Sequence, residues 1–566
     1  MSESSVSTVP AAQAPPPARP AATLVVVRDA AVGIEVLLLR RAERGDHTGG
    51  AWVFPGGLVD AADGDAHRHC GDVDDARASA RLGLERGGLG FYVAAVRECF
   101  EEAGLLFARV PGQSALVELH GDDAARVAAW REPMHRGERT LAQLCAAAGW
   151  DLALDRLAYF GHWLTPPLRI KRYDTRFFVA EAPPVQISAH DAREVVEQLW
   201  LRPADALARV QELKLLTPTA KTLETLARFD RVAALLDWAR ALRAVPLTMP
   251  MFGRGSRGQR PVTPDEPAFA ELTRVDPQCD GHYSYEIEPG RAVRLSPRLI
   301  RVTANNGSVM TGPGTNTYLV GGGPDNLWAV IDPGPDDAAH VQAVLAASPG
   351  PIRWIFATHT HLDHSPATAA LVAATGASVH GRRAAHPEWQ DASFAPDVEL
   401  AGGERFALTP DCTLHAIHTP GHASNHLCYL LEQEKLLFTG DHLMQLSTVV
   451  VNPPDGDMAA YLASLRELLA EDLEWLAPGH GFLMARPREV IEAVIAHRLR
   501  REAKVVDALR ALGATGADAL LARVYDDVPP RLHAMAMRSL KAHLLKLGHE
   551  GTVVESEGTW SLAGGG

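Results

Sequence analysis

The chain has 566 residues, 46% hydrophobic and 22% charged, with a formal net charge of −14 and a pI near 5.9. That composition is globular and excludes a wholly disordered or fibrous chain. The acidic balance argues against a surface given over to nucleic acid, although it leaves room for a local basic patch.

The length predicts about three or four domains. Cys70, Cys99, Cys145, Cys279, Cys412 and Cys428 are far apart and form no CxxC pair, so they are expected as reduced thiols without zinc-ribbon spacing. No apolar run approaches the roughly 18 residues of a membrane span, and no membrane partner is expected. The opening MSESSVSTVPAAQAPPPARP lacks a basic stretch followed by an apolar core. It is expected to be a disordered tail over 1–20, and the cytoplasm is the expected location.

Ordered sequence is expected from residue 21. Apolar runs at 24–27 and 34–39 flank RDAAVG, with Gly33 as the turn residue, which predicts a hairpin. Residues 91–106, FYVAAVRECFEEAGLL, read as a helix ended by Gly104. Val96, Cys99, Phe100 and Ala103 make its apolar face, while Glu98, Glu101 and Glu102 fall at i, i+3 and i+4 on the other. Three crowded carboxylates repel unless a cation joins them, and hard oxygen ligands favour Mg²⁺ or Mn²⁺. Arg97 reaches Glu101 at i+4 and can orient it.

RECFEEAGL at 97–105 resembles the second half of the Nudix box, and WVFPGG at 52–57 resembles the strand and glycine loop that open it in many Nudix hydrolases. One departure stands out. About two dozen extra residues, 65–90, intervene, and either Asp60 or Asp63 stands for the early acid of the box. Such an insertion resembles the acyl-CoA diphosphatase-like Nudix branch, as do residues 37–57 and 162–183. The resemblance covers about 20–240. It implies metal-assisted hydrolysis of a nucleoside diphosphate-linked, CoA-type small molecule, with Glu98, Glu101 and Glu102 as ligands and Arg97 as a catalytic-site residue. Arg169, Lys171 and Arg172 are either phosphate contacts or a solvated basic turn.

VPLTMPMFGRGSRGQRPVTPDEP opens a stretch expected to be a linker, 245–282. From 283 to 485, short β-branched runs at 328–331 and 352–357 alternate with Ala-rich helical stretches at 338–347 and 367–375, which is α/β grammar. IRWIFATHTHLDH then places His359, His361, Asp363 and His364 within six positions directly after a buried-type strand. Imidazoles and carboxylates gathered in this way suit Zn²⁺. HTPGH adds His422, LLFTGDH adds Asp441 and WLAPGH adds His480, each preceded by a glycine that lets backbone approach a compact site.

This set resembles the metallo-β-lactamase superfamily with its His-x-His-x-Asp-His motif. The match implies one metal on His359, His361 and His422, a second on Asp363, His364 and His480, and Asp441 bridging. Asp332 is assigned support of the ligands only. Two ions, Zn²⁺ or else Mn²⁺ or Fe, can share a hydroxide nucleophile. Where many relatives carry two glycines after the motif, this chain has DHSPATAA.

Only 38 residues separate Asp441 from His480, too few for the inserted domain of β-CASP nucleases. The segments at 497–512, 517–525 and 529–554 resemble three helices and a β-wing. With MTGPGTNTYLVG at 310–321, they resemble the beta-lactamase-like-protein-two endoribonuclease-like branch over about 290–555. From 486 to 550 there are 12 Lys and Arg against 8 Asp and Glu, and Lys541, His543 and Lys546 are candidates for a phosphate backbone. A helical lid or dimerisation domain is the competing reading.

The expected fold class is α/β and α+β multidomain: a Nudix α/β/α sandwich at 21–244, a metallo-β-lactamase αββα sandwich at 283–485 and a small winged-helix-like domain at 486–566. The expected function is that of a bifunctional hydrolase whose C-terminal half cleaves a phosphodiester, with single-stranded RNA as the candidate partner. Two alternatives stand beside it: a glyoxalase-like thioester or acyl hydrolase in that half, or a binding protein with one inactive site. The sequence names neither a protein partner nor an oligomeric state.

Overall fold

A computed structural model describes residues 16–43, 49–71, 73–184, 186, 195–445 and 448–564. Most of the expected tail lies outside these residues, and Arg19 and Pro20 already belong to the first strand. The chain divides into two compact units, Met1–Met251 and Phe252–Gly566. Among the described residues no helix is long and apolar enough to cross a membrane, and all six cysteines are buried free thiols.

The first unit is built on one mixed sheet. Strands Arg19–Asp29 and Ile34–Arg41 form the expected hairpin, closed by a hydrogen bond from Ala30 N–H to the Gly33 carbonyl. Arg19–Asp29 also pairs in parallel with Tyr173–Glu181, which runs antiparallel to Ala158–Leu164. Alternation along the first strand builds two cores. Ala22, Leu24 and Val26 face the helix Gly88–Ala103. Val25 and Val27 face a layer holding the helices Pro203–Ala208, Thr217–Leu226 and Val232–Ala241. The result is an α/β/α sandwich. The insertion at 65–90 packs into the first core through Ala66, Cys70, Ala78 and Leu82. It also leads into the acidic helix: Asp75 accepts hydrogen bonds from the Gly87 and Leu89 backbone, and Ser79 accepts one from Gly88.

The second unit places two sheets face to face. One runs from Ala292–Ser296 to Val398–Glu399 in seven strands, and the other from Arg405–Thr409 to Met484–Ala485 in six. Tyr318, Phe356, Leu414, Tyr429 and Phe438 fill the space between them. Helices Ala338–Ala347 and Thr368–Thr375 cover the outer face of the first sheet. Met458–Leu468 and the start of Pro487–Leu512 cover that of the second, giving αββα layers. Pro487–Leu512 continues into a small domain with Ala517–Val524, His533–His549 and a wing made of Val553–Ser556 and Thr559–Leu562.

The stretch 245–282, expected to be a linker, holds regular structure. Leu247–Thr248 pairs with the first unit's sheet. The helix Phe269–Val275 is fastened into the second unit by a buried ion pair between Glu271 and Arg301, and Glu271 also accepts from the Leu483 backbone. A glutamate in a polar-looking run reads as solvated, and nothing local announces that its partner lies 30 residues on.

Candidate functional site

In the first unit, the loop WVFPGG lies against the acidic helix. Gly56 N–H donates to Glu102 Oε2 at 3.0 Å. Gly57 leaves room that Glu98 fills, since a Cβ there would stand 2.2 Å from Glu98 Oε1. Arg97 is the hub. It donates to Glu98 Oε1 at 2.8 Å, to Glu101 Oε2 at 3.3 Å and to both oxygens of the buried Asp63. Of the two candidate early acids, Asp63 is therefore the one tied to the box, while Asp60 caps the short helix before it. Burial pushes the Glu101 carboxyl up to about 7; Arg97 opposes the shift and Glu98 adds to it. Arg97 is raised because Asp63, Glu98 and Glu101 outweigh its own burial.

Glu98 and Glu101 flank Arg97 while Glu102 takes the Gly56 N–H, and every three-ligand cluster among the described residues lies in the second unit. Their chemistry, hard anionic oxygens with one carboxyl held near neutrality, fits a hard divalent cation. Arg172 donates from Nε to the Thr165 carbonyl and from Nη1 to the Pro16 carbonyl.

In the second unit, the strand Ile352–Phe356 delivers the histidine loop to the rim between the sheets. His359 Nε2 and His422 Nε2 lie 3.0 and 3.1 Å from His361 Nδ1. His364 Nε2 and His480 Nε2 each stand 3.4 Å from Asp363 Oδ2. Asp441 stands between the two groups, with Oδ1 3.4 Å from His364 and 3.2 Å from His480, and Oδ2 3.7 Å from His422. The ligand atoms of His359, His361 and His422, of Asp363, His364 and His480, and of His359, His364 and Asp441 form three clusters, each within 4.8 Å. Gly479 permits the approach, because a Cβ there would lie 2.8 Å from Asp441 Oδ1.

Outer partners fix the rings. Asp332, held in a left-handed backbone, accepts from Thr358 N–H and Oγ1 and pairs with His364 Nδ1 at 2.9 Å. His422 Nδ1 and His480 Nδ1 face the carbonyls of Val450 and Gly314, which turns each Nε2 into the site. Thr315 Oγ1 donates to Asp363. Burial, then the neighbouring imidazoles, hold His359 well below its ordinary value, and burial with His422 pulls His361 to about 3. His364 goes the other way: burial would lower it, but Asp363, Asp441 and Asp332 outweigh that and raise it well above. Burial would raise Asp441, yet His480 and His364 hold it well below the carboxylate range. His364 Nε2 and Asp441 Oδ1 are buried with no hydrogen-bond partner among the described residues. Paired orphan atoms of this kind fit a divalent transition-metal ion, which takes imidazole nitrogen and carboxylate oxygen together.

Reasoning from sequence missed His426 and His442. Both are wholly buried behind the ligands; His426 stacks on His359 with ring centres 5.1 Å apart and His442 follows it at 5.5 Å. Their signal was present, since His426 lies four residues past His422 and His442 directly follows Asp441. Cys428 is core, as expected.

The ligands floor a groove of about 600 Å³ whose other wall is the winged-helix domain. Val309, Met310, Met444, Val449, Leu532 and Met535 line it. The expected phosphate-backbone residues do not. His543 is wholly buried, and Lys546 is bound to Glu502 and Glu550. Only Lys541 of the three is exposed. One partner of Lys546, Glu502, sits on another helix 44 residues away.

Comparison with known proteins accords with this geometry. Residues 310–480 match the family model of the metallo-beta-lactamase superfamily, 85–226 that of the NUDT19 Nudix domain and 517–560 that of the beta-lactamase associated winged helix domain. The chain belongs to the metallo-β-lactamase superfamily, with its associated winged helix, and carries a Nudix domain ahead of it. A beta-lactamase-like protein 2 homolog of Drosophila melanogaster is 31% identical over 279 residues, 46% of this chain and 90% of that protein. An atrochrysone carboxyl ACP thioesterase of Aspergillus fumigatus is 32% identical over 271 residues, 44% of this chain and 80% of that protein. A lactamase-like protein of Pestalotiopsis microspora is 33% identical over 222 residues, 39% of this chain, and the chain spans 65% of its length. Both families are hydrolases, and the chain is a hydrolase by class.

Proposed function

We propose that the second unit is a metal-dependent thioester hydrolase and that the first cleaves the diphosphate of a CoA-type or other nucleoside diphosphate-linked molecule. The observation that carries the thioester reading is the groove. It has ligand-type side chains at its floor and an apolar share of wall, and none of the residues expected to hold an RNA backbone lines it: His543 is buried, Lys546 is paired and the exposed Lys541 lies elsewhere. The relative named as an acyl-carrier thioesterase supports it.

In this reading His359, His361 and His422 would hold one ion and Asp363, His364 and His480 the other, with Asp441 within reach of both groups and zinc the favoured metal. Bound ions supply Lewis-acid activation of water and of the scissile carbonyl. The chain's residues do the rest. Thr315 donates to Asp363 Oδ2 and so orients this carboxylate, whose side chain is 27% exposed and faces the groove. Asp332 keeps the His364 Nδ1 proton directed away from the site. The groove's apolar walls exclude water from the acyl or thiol arm. In the first unit Glu98, Glu101 and Glu102 would hold Mg²⁺ or Mn²⁺, with Arg97 fixing Glu98 and Glu101 in place.

The test offers the intact, metal-loaded chain an acyl thioester and a single-stranded RNA of the same concentration. Thiol release without RNA cleavage is expected. RNA cleavage without thiol release returns the phosphodiester reading.

A further inference from the structure

Trp389 combines three properties that rarely meet in one residue. It is 65% exposed, it lines the groove above the ligands, and its backbone is left-handed at φ 72°. A bulky side chain pays for that conformation, and such strain persists only where the surroundings impose it. Here they do. The next residue, Gln390, bridges to His361 of the histidine loop, accepts from Thr360 Oγ1 at 2.7 Å and donates to Asp455 Oδ2 at 2.9 Å. The indole is thus mounted rigidly on the segment that carries the ligands and turned outward to the groove.

Across from it stands Arg538, on the winged-helix helix His533–His549. Its guanidinium lies 5.5 Å from the Trp389 ring centre. The other arginines that line the groove are engaged: Arg501 pairs with Asp527 and Arg498 donates to the Val449 carbonyl. Arg538 also lines the groove, and no carboxylate among the described residues neutralises it. The groove therefore offers ligand groups, apolar wall, a flat aromatic face and, beside that face, a cation.

We propose that Trp389 and Arg538 are the specificity-determining pair of this site, selecting substrates whose apolar arm ends in an anionic group. Trp389 packs along the arm and Arg538 takes the charge. The assignment rests on the thioester reading for the reaction and on its own geometry for binding. The anion has two sources, a phosphate on the thiol side or a carboxylate at the far end of the acyl side.

The experiment uses the full chain and two readouts. Titration calorimetry compares 4′-phosphopantetheine with pantetheine, which differ by one phosphate. Steady-state hydrolysis compares glutaryl with butyryl thioesters of a neutral short thiol, which differ by one carboxylate. In the wild type one of these pairs should favour the anionic member by about ten-fold or more, the scale of a hydrogen bond to a charged group. Arg538→Gln should erase that preference, costing the anionic member about ten-fold more than the neutral one. Trp389→Gly should weaken both members alike while Tm holds or rises, because glycine relieves the strain. A preference that survives Arg538→Gln, or none in either pair, overturns the proposal, as does a Trp389→Gly chain that loses Tm but binds normally. If no thioester is cleaved yet phosphopantetheine binding depends on Arg538, the thioesterase reading fails and this assignment stands.

Discussion

Gly57→Ala separates the architecture of the Nudix site from its chemistry. The new methyl group would stand 2.2 Å from Glu98 Oε1 and 2.4 Å from its Cδ. Those atoms end a flexible side chain, so Glu98 moves and the backbone does not. The displaced carboxylate gives up its 2.8 Å hydrogen bond from Arg97. A hydrogen bond between charged groups contributes about 1.5–3 kcal/mol, so loss of its positioning predicts a fall in kcat/KM of roughly 10- to 100-fold. Gly56→Ala is the control. Its Cβ would meet the Ala22 carbonyl at 2.6 Å and the Thr23 Cα at 2.9 Å, both backbone. Forcing that sheet apart costs about 1–3 kcal/mol, which at about 2–4 °C per kcal/mol predicts a Tm loss of several degrees. The assay is Mg²⁺-dependent cleavage of a CoA-type diphosphate alongside thermal unfolding. Wild-type turnover in Gly57→Ala, or equal Tm losses in the two variants, would refute the reasoning.

Other predictions follow from the same contacts. Glu101→Gln keeps the shape of a ligand without its charge and should cut Mg²⁺-dependent diphosphatase activity about 100-fold or more, checked on a substrate the intact chain cleaves. Elemental analysis should find close to two transition-metal ions per chain, and His480→Ala should bring the count to about one. Asp332→Asn leaves Thr358 and His364 without their shared acceptor and should weaken metal affinity by about 10- to 100-fold, read by chelator competition. Lys541→Gln with Lys546→Gln should leave thioester hydrolysis unchanged, since neither side chain lines the groove; a large loss would reassign that helix face.

Local signals carried well. Apolar alternation and Gly33 foretold the first hairpin, and the spacing of Val96, Cys99, Phe100 and Ala103 foretold the buried face of the acidic helix, closed by Gly104 in a left-handed turn. The histidine and aspartate motifs could be read because each ligand follows an apolar strand closely. What could not be read was set by distant partners. Glu101 and Glu102 could be read as a cation-binding pair, but their burial to under a tenth exposed, Glu102 against the glycine loop and Glu101 against Arg97, could not. Lys546 looks available until Glu502 folds beside it, and Glu271 looks like linker charge until it meets Arg301. Trp389 carries no motif at all, since its left-handed backbone and its neighbour Arg538 exist only in the folded chain.

The central claim is that the metal-ligand groove acts on a thioester, and thiol release by the intact chain tests it most directly. Rates are taken after chelation and again after zinc is restored, in the wild type and in Asp363→Asn. The account predicts hydrolysis that disappears with the metal, returns with it, and falls by orders of magnitude in the variant, with single-stranded RNA left intact throughout. Metal-dependent cleavage of RNA, with the thioester untouched, would contradict it.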